Sequence, residues 1–270
     1  LKVRSISQLK EAVLEQRELE KKAASTGFTD LDKCIGGFLP RHLYTLTGHT
    51  NTGKTTLACN FADNVRKQGK KVLYIALEPD INIVLSLASV RLNKAYKDLT
   101  ESDIGYDDGL IEILLQEDVK NLKELVQIIS EQSLKYNLII VDHIGYFLSG
   151  ENVIQAQADA LKILAKITKD YKTAVLIIAH PRKIPTHKLI FMEDIGGSAS
   201  FMQDSTEVII LHRFLKEPNN ELNREYDFKA TITVPKTKKA NGYSYCEVYF
   251  QSQKAKILSS NEVYKDKIYD

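Results

Sequence analysis

GHTNTGKTT, residues 48–56, decides how the rest of the chain is read. Two glycines, four threonines, one histidine, one asparagine and one lysine fill its nine positions, a mixture that no packed core would select. Gly48, Gly53, Lys54 and Thr55 fit the spacing GxxxxGK[ST]. Its setting makes that spacing specific: the strand-like run HLYTLTG precedes it, and Leu57, Ala58, Phe61, Ala62 and Val65 follow at helical spacing. A glycine-rich turn between a strand and a helix lets backbone N–H groups converge on an anion, and the positive end of the helix dipole adds to the field. The expected occupant is a nucleoside triphosphate, ATP or another, cradled by Gly48, His49, Thr50, Asn51, Thr52, Gly53, Lys54, Thr55 and Thr56. Lys54 is expected at the β and γ phosphates, and Thr55 on Mg²⁺.

Outward from the loop, strands and helices alternate. KKVLYIALEP reads as a strand closed by Pro79, INIVLSLASVRLN as a helix, LIEILL as a strand, and NLKELVQIISEQSL as a helix with Leu122, Leu125, Val126 and Ile129 on one face. NLIIVD and TAVLIIAH are buried strands flanking the helix VIQAQADALKILAKITKDY. Such βαβ succession with continuous apolar strands predicts a mostly parallel sheet covered by helices on both faces, an α/β fold. EVIILHR, FKATITVPK and YSYCEVYF follow without helices between them and are expected to add antiparallel strands at one edge. Upstream, residues 5–24 carry a meagre stripe of Ile6, Leu9, Val13 and Leu14 among charges, a helix with too little apolar face to stand alone. The organisation expected is a helical extension over 1–25 and one domain over 26–270.

Composition narrows the class. Among 270 residues, 43% hydrophobic and 27% charged are ordinary globular values, and no run approaches the roughly 18 apolar residues of a membrane span. A net charge of +2 argues neither for nor against a polyanionic partner. Cys34, Cys59 and Cys246 lie far apart with no CxxC, which fits neither a zinc site nor a disulfide framework and favours a reducing compartment such as the cytoplasm over secretion. The chain opens on Leu1 rather than Met, so a piece of a longer polypeptide is expected.

Three further residues carry chemistry. Asp142 follows four apolar residues, Leu138 to Val141, and is expected at the end of a strand beside that of the loop, where a carboxylate holds Mg²⁺ directly or through water; an aspartate there also caps turns. His143 follows it instead of a second carboxylate, so the base that activates water must come from elsewhere. Glu78 ends the strand after the loop's helix and is the candidate, against the plainer reading of a surface glutamate before Pro79. His180 closes a buried strand before PRK, where an imidazole would sense the γ phosphate or simply be hydrogen-bonded.

Together these stretches resemble the RecA-like motor domain, a P-loop NTPase, of hexameric replicative helicases of the DnaB type, including Twinkle and the phage primase-helicases. TGFTDLDKCIGGF is similar to the family's opening segment, GHTNTGKTT to its Walker A loop, ALEPD to the strand end with its catalytic glutamate and LIIVDHI to its Walker B strand. IIAHPRK resembles the sensor strand of the Twinkle and phage branch, and DIGGSASFMQDSTEVIILHR the glycine-serine segment and the strand after it. The resemblance implies an ATP hydrolase of DNA replication, a homo-oligomeric ring of six with nucleotide between neighbours and single-stranded DNA in its channel. It points to Glu78 as base, His180 as sensor and two channel loops, about Ile144 to Asn152 and Lys183 to Gly196. Lys183, His187 and Lys188 in the second suit phosphates without reading bases. It also implies that the N-terminal helix packs on the adjacent subunit and that a primase domain or primase-binding module stands upstream.

One departure bears on rate. Where the family carries a Lys-x-Arg pair whose arginine enters the neighbour's site, this chain reads VPKTKKANG, with Lys236 and Lys238 in those places and Lys239 adjacent. RecA-type recombinases use two lysines in a comparable place. Lysine lacks the planar fork of arginine, whose trans contribution is worth roughly 10³ to 10⁵ in rate, so weak or DNA-dependent hydrolysis is expected. A RecA-related recombination or repair ATPase, and a nucleotide-controlled ring that moves nothing, are the alternative readings.

Overall fold

A computed structural model describes residues 5–77, 82–147, 153–181, 184–185, 188–195, 203–216, 225–238 and 244–266. Its centre is a nine-stranded sheet. The strands are β1 (Leu43–Gly48), β2 (Val72–Ala76), β3 (Ile111–Leu115), β4 (Leu138–Asp142), β5 (Ala174–Ile178), β6 (Glu207–Leu215), β7 (Tyr226–Lys236), β8 (Ser244–Gln251) and β9 (Lys256–Ser259). They lie in the order β3-β2-β4-β5-β1-β6-β7-β8-β9, parallel from β3 through β6 and antiparallel from there to β9.

The apolar runs explain why both faces are covered. Side chains alternate across a strand, so Leu138 and Ile140 of β4, with Leu176 and Ile178 of β5, enter one core, while Ile139, Val141, Val175 and Ile177 enter the other. Helices α2 (Thr29–Ile35), α3 (Lys54–Arg66) and α4 (Asn82–Leu92) close the first core, where Phe38, Phe61 and Phe28 meet edge to face at 5.2 and 5.8 Å. Short α5 (Glu101–Ile104) packs beside α4. Helices α6 (Leu122–Gln132) and α7 (Val153–Tyr171) close the second core through Leu125, Ile129, Leu161 and Leu164. A final α8 (Ser260–Asp266) follows β9.

The mostly parallel sheet, its two helical layers and the antiparallel strands at one edge agree with the sequence reading. Three details differ. β6 was expected among the antiparallel strands but pairs parallel with β1, and β9, only four residues long, went unread. Asp142 was placed on the strand beside the loop's strand, yet β5 lies between β4 and β1. Strand order is set by crossover connections, and local sequence does not encode it.

The N-terminal α1 (Ile6–Glu20) is started by a capping box between Ser5 and Gln8. Ile6, Val13 and Leu14 are exposed, and Glu15 ties the helix to Arg41 and Lys172 through ion pairs.

Candidate functional site

β1 ends at Gly48 and the chain turns into α3 through the glycine-rich loop. A Cβ on Gly48 would lie 2.6 Å from the Leu211 carbonyl oxygen of β6, so only glycine lets the loop leave the sheet this close to that strand. Gly53 has φ +96° and a Cβ there would lie 2.5 Å from the Phe250 ring. The Thr52 hydroxyl donates to the His49 carbonyl at 2.7 Å and holds the turn. The first residues of α1 and α6 are capped by the side chains of Ser5 and Asn121, whereas the start of α3, after Gly53, has no side-chain cap. The Lys54 ammonium, 6% exposed, donates to the carbonyls of Gly48 and His49 at 3.1 and 2.9 Å. Such an arrangement presents helix N-terminal N–H groups, a positive dipole end and a buried ammonium to an anion.

Two neighbouring strand ends face the same edge of the sheet. Asp142, at the end of β4, is 7% exposed, and its Oδ2 accepts from the Tyr74 hydroxyl at 2.8 Å. Burial, and next the Asp142 charge, push the Tyr74 hydroxyl well above its ordinary range; the same two causes raise the Cys59 thiol. Ala76 pairs with Asp142, and Leu77 donates its N–H to the Asp142 carbonyl at 2.6 Å, so the end of β2 runs beside that aspartate. Glu78 itself lies outside the described residues. His180, just past β5, meets His143 edge to face at 4.3 Å. Burial, then the charges of Lys54 and His143, bring its pKa down to about 4. Its imidazole is therefore neutral at pH 7 and within electrostatic reach of Lys54.

The remaining expected residues lie elsewhere. Lys236 ends β7 and shares its partner Val208 with Thr45, so it lies level with the lower part of β1, roughly 10 Å along the strand from Gly48. Its ammonium donates to the Ser205 carbonyl, and the backbone N–H of Lys238 donates to Glu207 Oε1 at 3.5 Å. Neither lysine reaches its own loop from there. Lys183, His187 and Lys239 lie outside the described residues. Lys188 is exposed, and its carbonyl accepts from His49 Nε2 at 2.8 Å, which ties the second expected channel loop to the phosphate loop.

Three residues beside the loop escaped the sequence reading. Arg213 lies over the Phe250 ring at 4.1 Å and over Tyr226 at 5.6 Å, while the Tyr226 hydroxyl donates to the Thr50 carbonyl at 3.1 Å. In sequence all three are unremarkable strand residues, and only the antiparallel register brings them to the loop. A guanidinium on an aromatic ring beside a phosphate cradle is a surface on which a flat base can stack.

Among the described residues no group of three or more His, Cys, Asp and Glu side chains forms a ready metal cage. The donors present, the Asp142 carboxylate and the Thr55 hydroxyl at the head of α3, fit Mg²⁺, which takes one or two protein oxygens and completes its shell with phosphate and water.

The profile of the DnaB-like helicase C terminal domain matches residues 23–259. The chain belongs to this family. It is 24% identical over 248 residues to a protein of Trieres chinensis named "Probable replicative DNA helicase", covering 81% of this chain and 53% of that one. Among solved structures, the "ATPase Domain of G40P" superposes with a TM-score of 0.73 at 14% identity, covering 96% of this chain and 99% of the other. "The Structure Of A DnaB-Like Replicative Helicase And Its Interactions With Primase" gives 0.73 at 13% identity, with 95% and 67% covered. The fold shared with both is that of the RecA-like ATPase domains. This DnaB-like domain spans about half the length of the curated relatives it matches. No helix among its described residues is long and apolar enough to cross a membrane.

Proposed function

We propose that this chain is the ATP-driven motor domain of a replicative DNA helicase that moves on single-stranded DNA as a homo-oligomeric ring. The observation that carries the reading is the uncapped head of α3 behind the glycine loop, with the ends of β4 and β5 bringing Asp142 and His180 to the same edge of the sheet. In this reading the loop amides and Lys54 take the phosphates, Thr55 and Asp142 hold Mg²⁺, and Arg213 with Phe250 seats the base. A magnesium ion held by Thr55 and Asp142 would supply charge neutralisation to the phosphates. Glu78, which follows Leu77 in the sequence, orients and deprotonates the attacking water. His180, neutral in the fold, registers the γ phosphate by hydrogen bond and passes the change to the loop that contains Lys183, His187 and Lys188, which grips DNA phosphates.

Lys236 and Lys238 act on a neighbouring subunit's nucleotide. Their place at the far end of β7 from their own phosphate loop supports this, because a residue that cannot serve in cis is free to serve in trans. The exposed apolar residues of α1 pack on the adjacent subunit in the same ring, and a primase domain or protein is the partner upstream. Unwinding of a forked duplex with ATP, beside a blunt duplex as control, tests the reading. Strand separation of the fork alone supports it, and ATP turnover indifferent to any DNA refutes it.

A further inference from the structure

Tyr74 is buried beside the nucleotide site, yet none of the roles above needs its hydroxyl. The side chain is wholly excluded from solvent in the middle of β2, two residues before Ala76, the partner of Asp142. A phenylalanine ring would fill the same space. What the hydroxyl adds is a hydrogen bond of 2.8 Å to Asp142 Oδ2, in the core cluster that also holds Cys59. Cys59 lies on α3 one turn beyond Thr55 and so on the same face of the helix. One buried hydroxyl therefore joins the strand that leads to Glu78 to the strand that ends in Asp142, under the helix that begins at the phosphate loop.

A short acidic side chain needs such a tie. The terminal torsion of aspartate is broad, so its plane is set by its partners and not by an intrinsic rotamer. Groups that hydrogen-bond a metal-holding carboxylate fix its orientation, and their loss typically weakens metal affinity or activity 10- to 100-fold. We propose that Tyr74 is a positioning residue for the magnesium site: its buried hydroxyl, bonded to Oδ2, sets the plane of the Asp142 carboxylate before nucleotide and metal arrive. The inference rests on the reading of Asp142 as the magnesium carboxylate.

The test compares the wild-type chain with Tyr74→Phe in binding N-methylanthraniloyl-ADP. Mg²⁺ is titrated in, each protein is referenced to its own affinity in EDTA, and bound Mn²⁺ is followed by electron paramagnetic resonance. Thermal melts establish that the variant is folded. The midpoint of the Mg²⁺ titration is expected to rise about 10-fold or more in Tyr74→Phe, with a matching loss of bound Mn²⁺. A folded variant with the wild-type midpoint, beside a wild type that responds to Mg²⁺, overturns the inference and leaves the site reading standing. A wild type that binds the nucleotide with no response to Mg²⁺ overturns both. Should Tyr74→Phe show no cooperative melt, Tyr74→Met takes its place, since it too lacks the hydroxyl that bonds Asp142; a folded Tyr74→Met with the wild-type midpoint overturns the inference.

Discussion

Lys54 is held in a closed position by the two loop carbonyls that accept from it. In the proposed site an arriving phosphate would take those hydrogen bonds over, because an ammonium bonds more strongly to a charged oxygen than to a neutral one. Lys54→Ala is expected to lower nucleotide turnover by about 10²-fold or more, read by phosphate release; turnover within a few-fold of wild type refutes the role. Two histidines contribute one part of the pH dependence of stability. Burial first, then Lys54 and His143 for His180 and His49 for His212, bring each from the ordinary 6.5 down to about 4. In the unfolded chain both take up protons as pH falls through about 6.5, but in the fold only near 4, so the unfolded state binds more protons between those values. The stability they contribute is complete above about pH 6.5 and is lost as pH falls toward 4. Carboxylates titrate in the lower part of that window, so the comparison is with His212→Asn, whose unfolding temperature is expected to fall less steeply from pH 7 to 4.5; equal slopes refute the assignment. The phosphate loop is legible in sequence because its function is packed into consecutive positions. Arg213, Tyr226 and Phe250 are not, because each becomes a neighbour of Thr50 or Gly53 only through strand pairing distant in the chain.

At the scale of elements, α3 is clamped where the phosphate cradle needs it. Asn60, buried on that helix, donates to the Ala255 carbonyl at 2.8 Å and accepts from the Ile257 N–H at 3.0 Å, so the late strand β9 anchors the loop's helix. The loop end is pinned by the same part of the fold, since Phe250 of β8 fills the space over Gly53. Gly53→Ala meets both a left-handed φ and that ring. It is expected to cost about 1–3 kcal/mol, measured by urea denaturation, and an unchanged midpoint would show that the loop relaxes away from Phe250. The elements themselves were mostly readable, since β4 and β5 are continuous apolar runs and α7 keeps its period from Val153 to Tyr171. The neighbours of each element were not. The run EVIILHR reads equally well as an edge hairpin strand or as the parallel partner of β1, and the structure makes β6 the second. The same limit put Asp142 one strand too close to the loop.

At the scale of the whole molecule, two sets of charged groups lie toward opposite ends of the parallel strands. The phosphate loop, Asp142 and His180 lie at the C-terminal ends of the parallel strands, while Lys236 and Lys238 lie near their N-terminal ends, Lys236 level with Thr45. If hydrolysis needs both sets, a ring has to supply the second from a neighbour, and each subunit is incomplete alone. The consequence is a complementation that no single-site enzyme displays. Lys238→Ala is expected to bind nucleotide like wild type and to turn it over at least about 10-fold more slowly, a smaller loss than the roughly 10³ to 10⁵ of an arginine finger because a lysine donates as a point charge. Lys54→Ala keeps a sound Lys238 but has a damaged loop. Mixed rings therefore contain interfaces where an intact loop meets an intact Lys238, and turnover measured across mixing ratios should rise above that of either variant and peak near equal amounts. If the mixture never exceeds the ratio-weighted sum of its parts while native mass spectrometry shows mixed rings, Lys238 does not act across the interface.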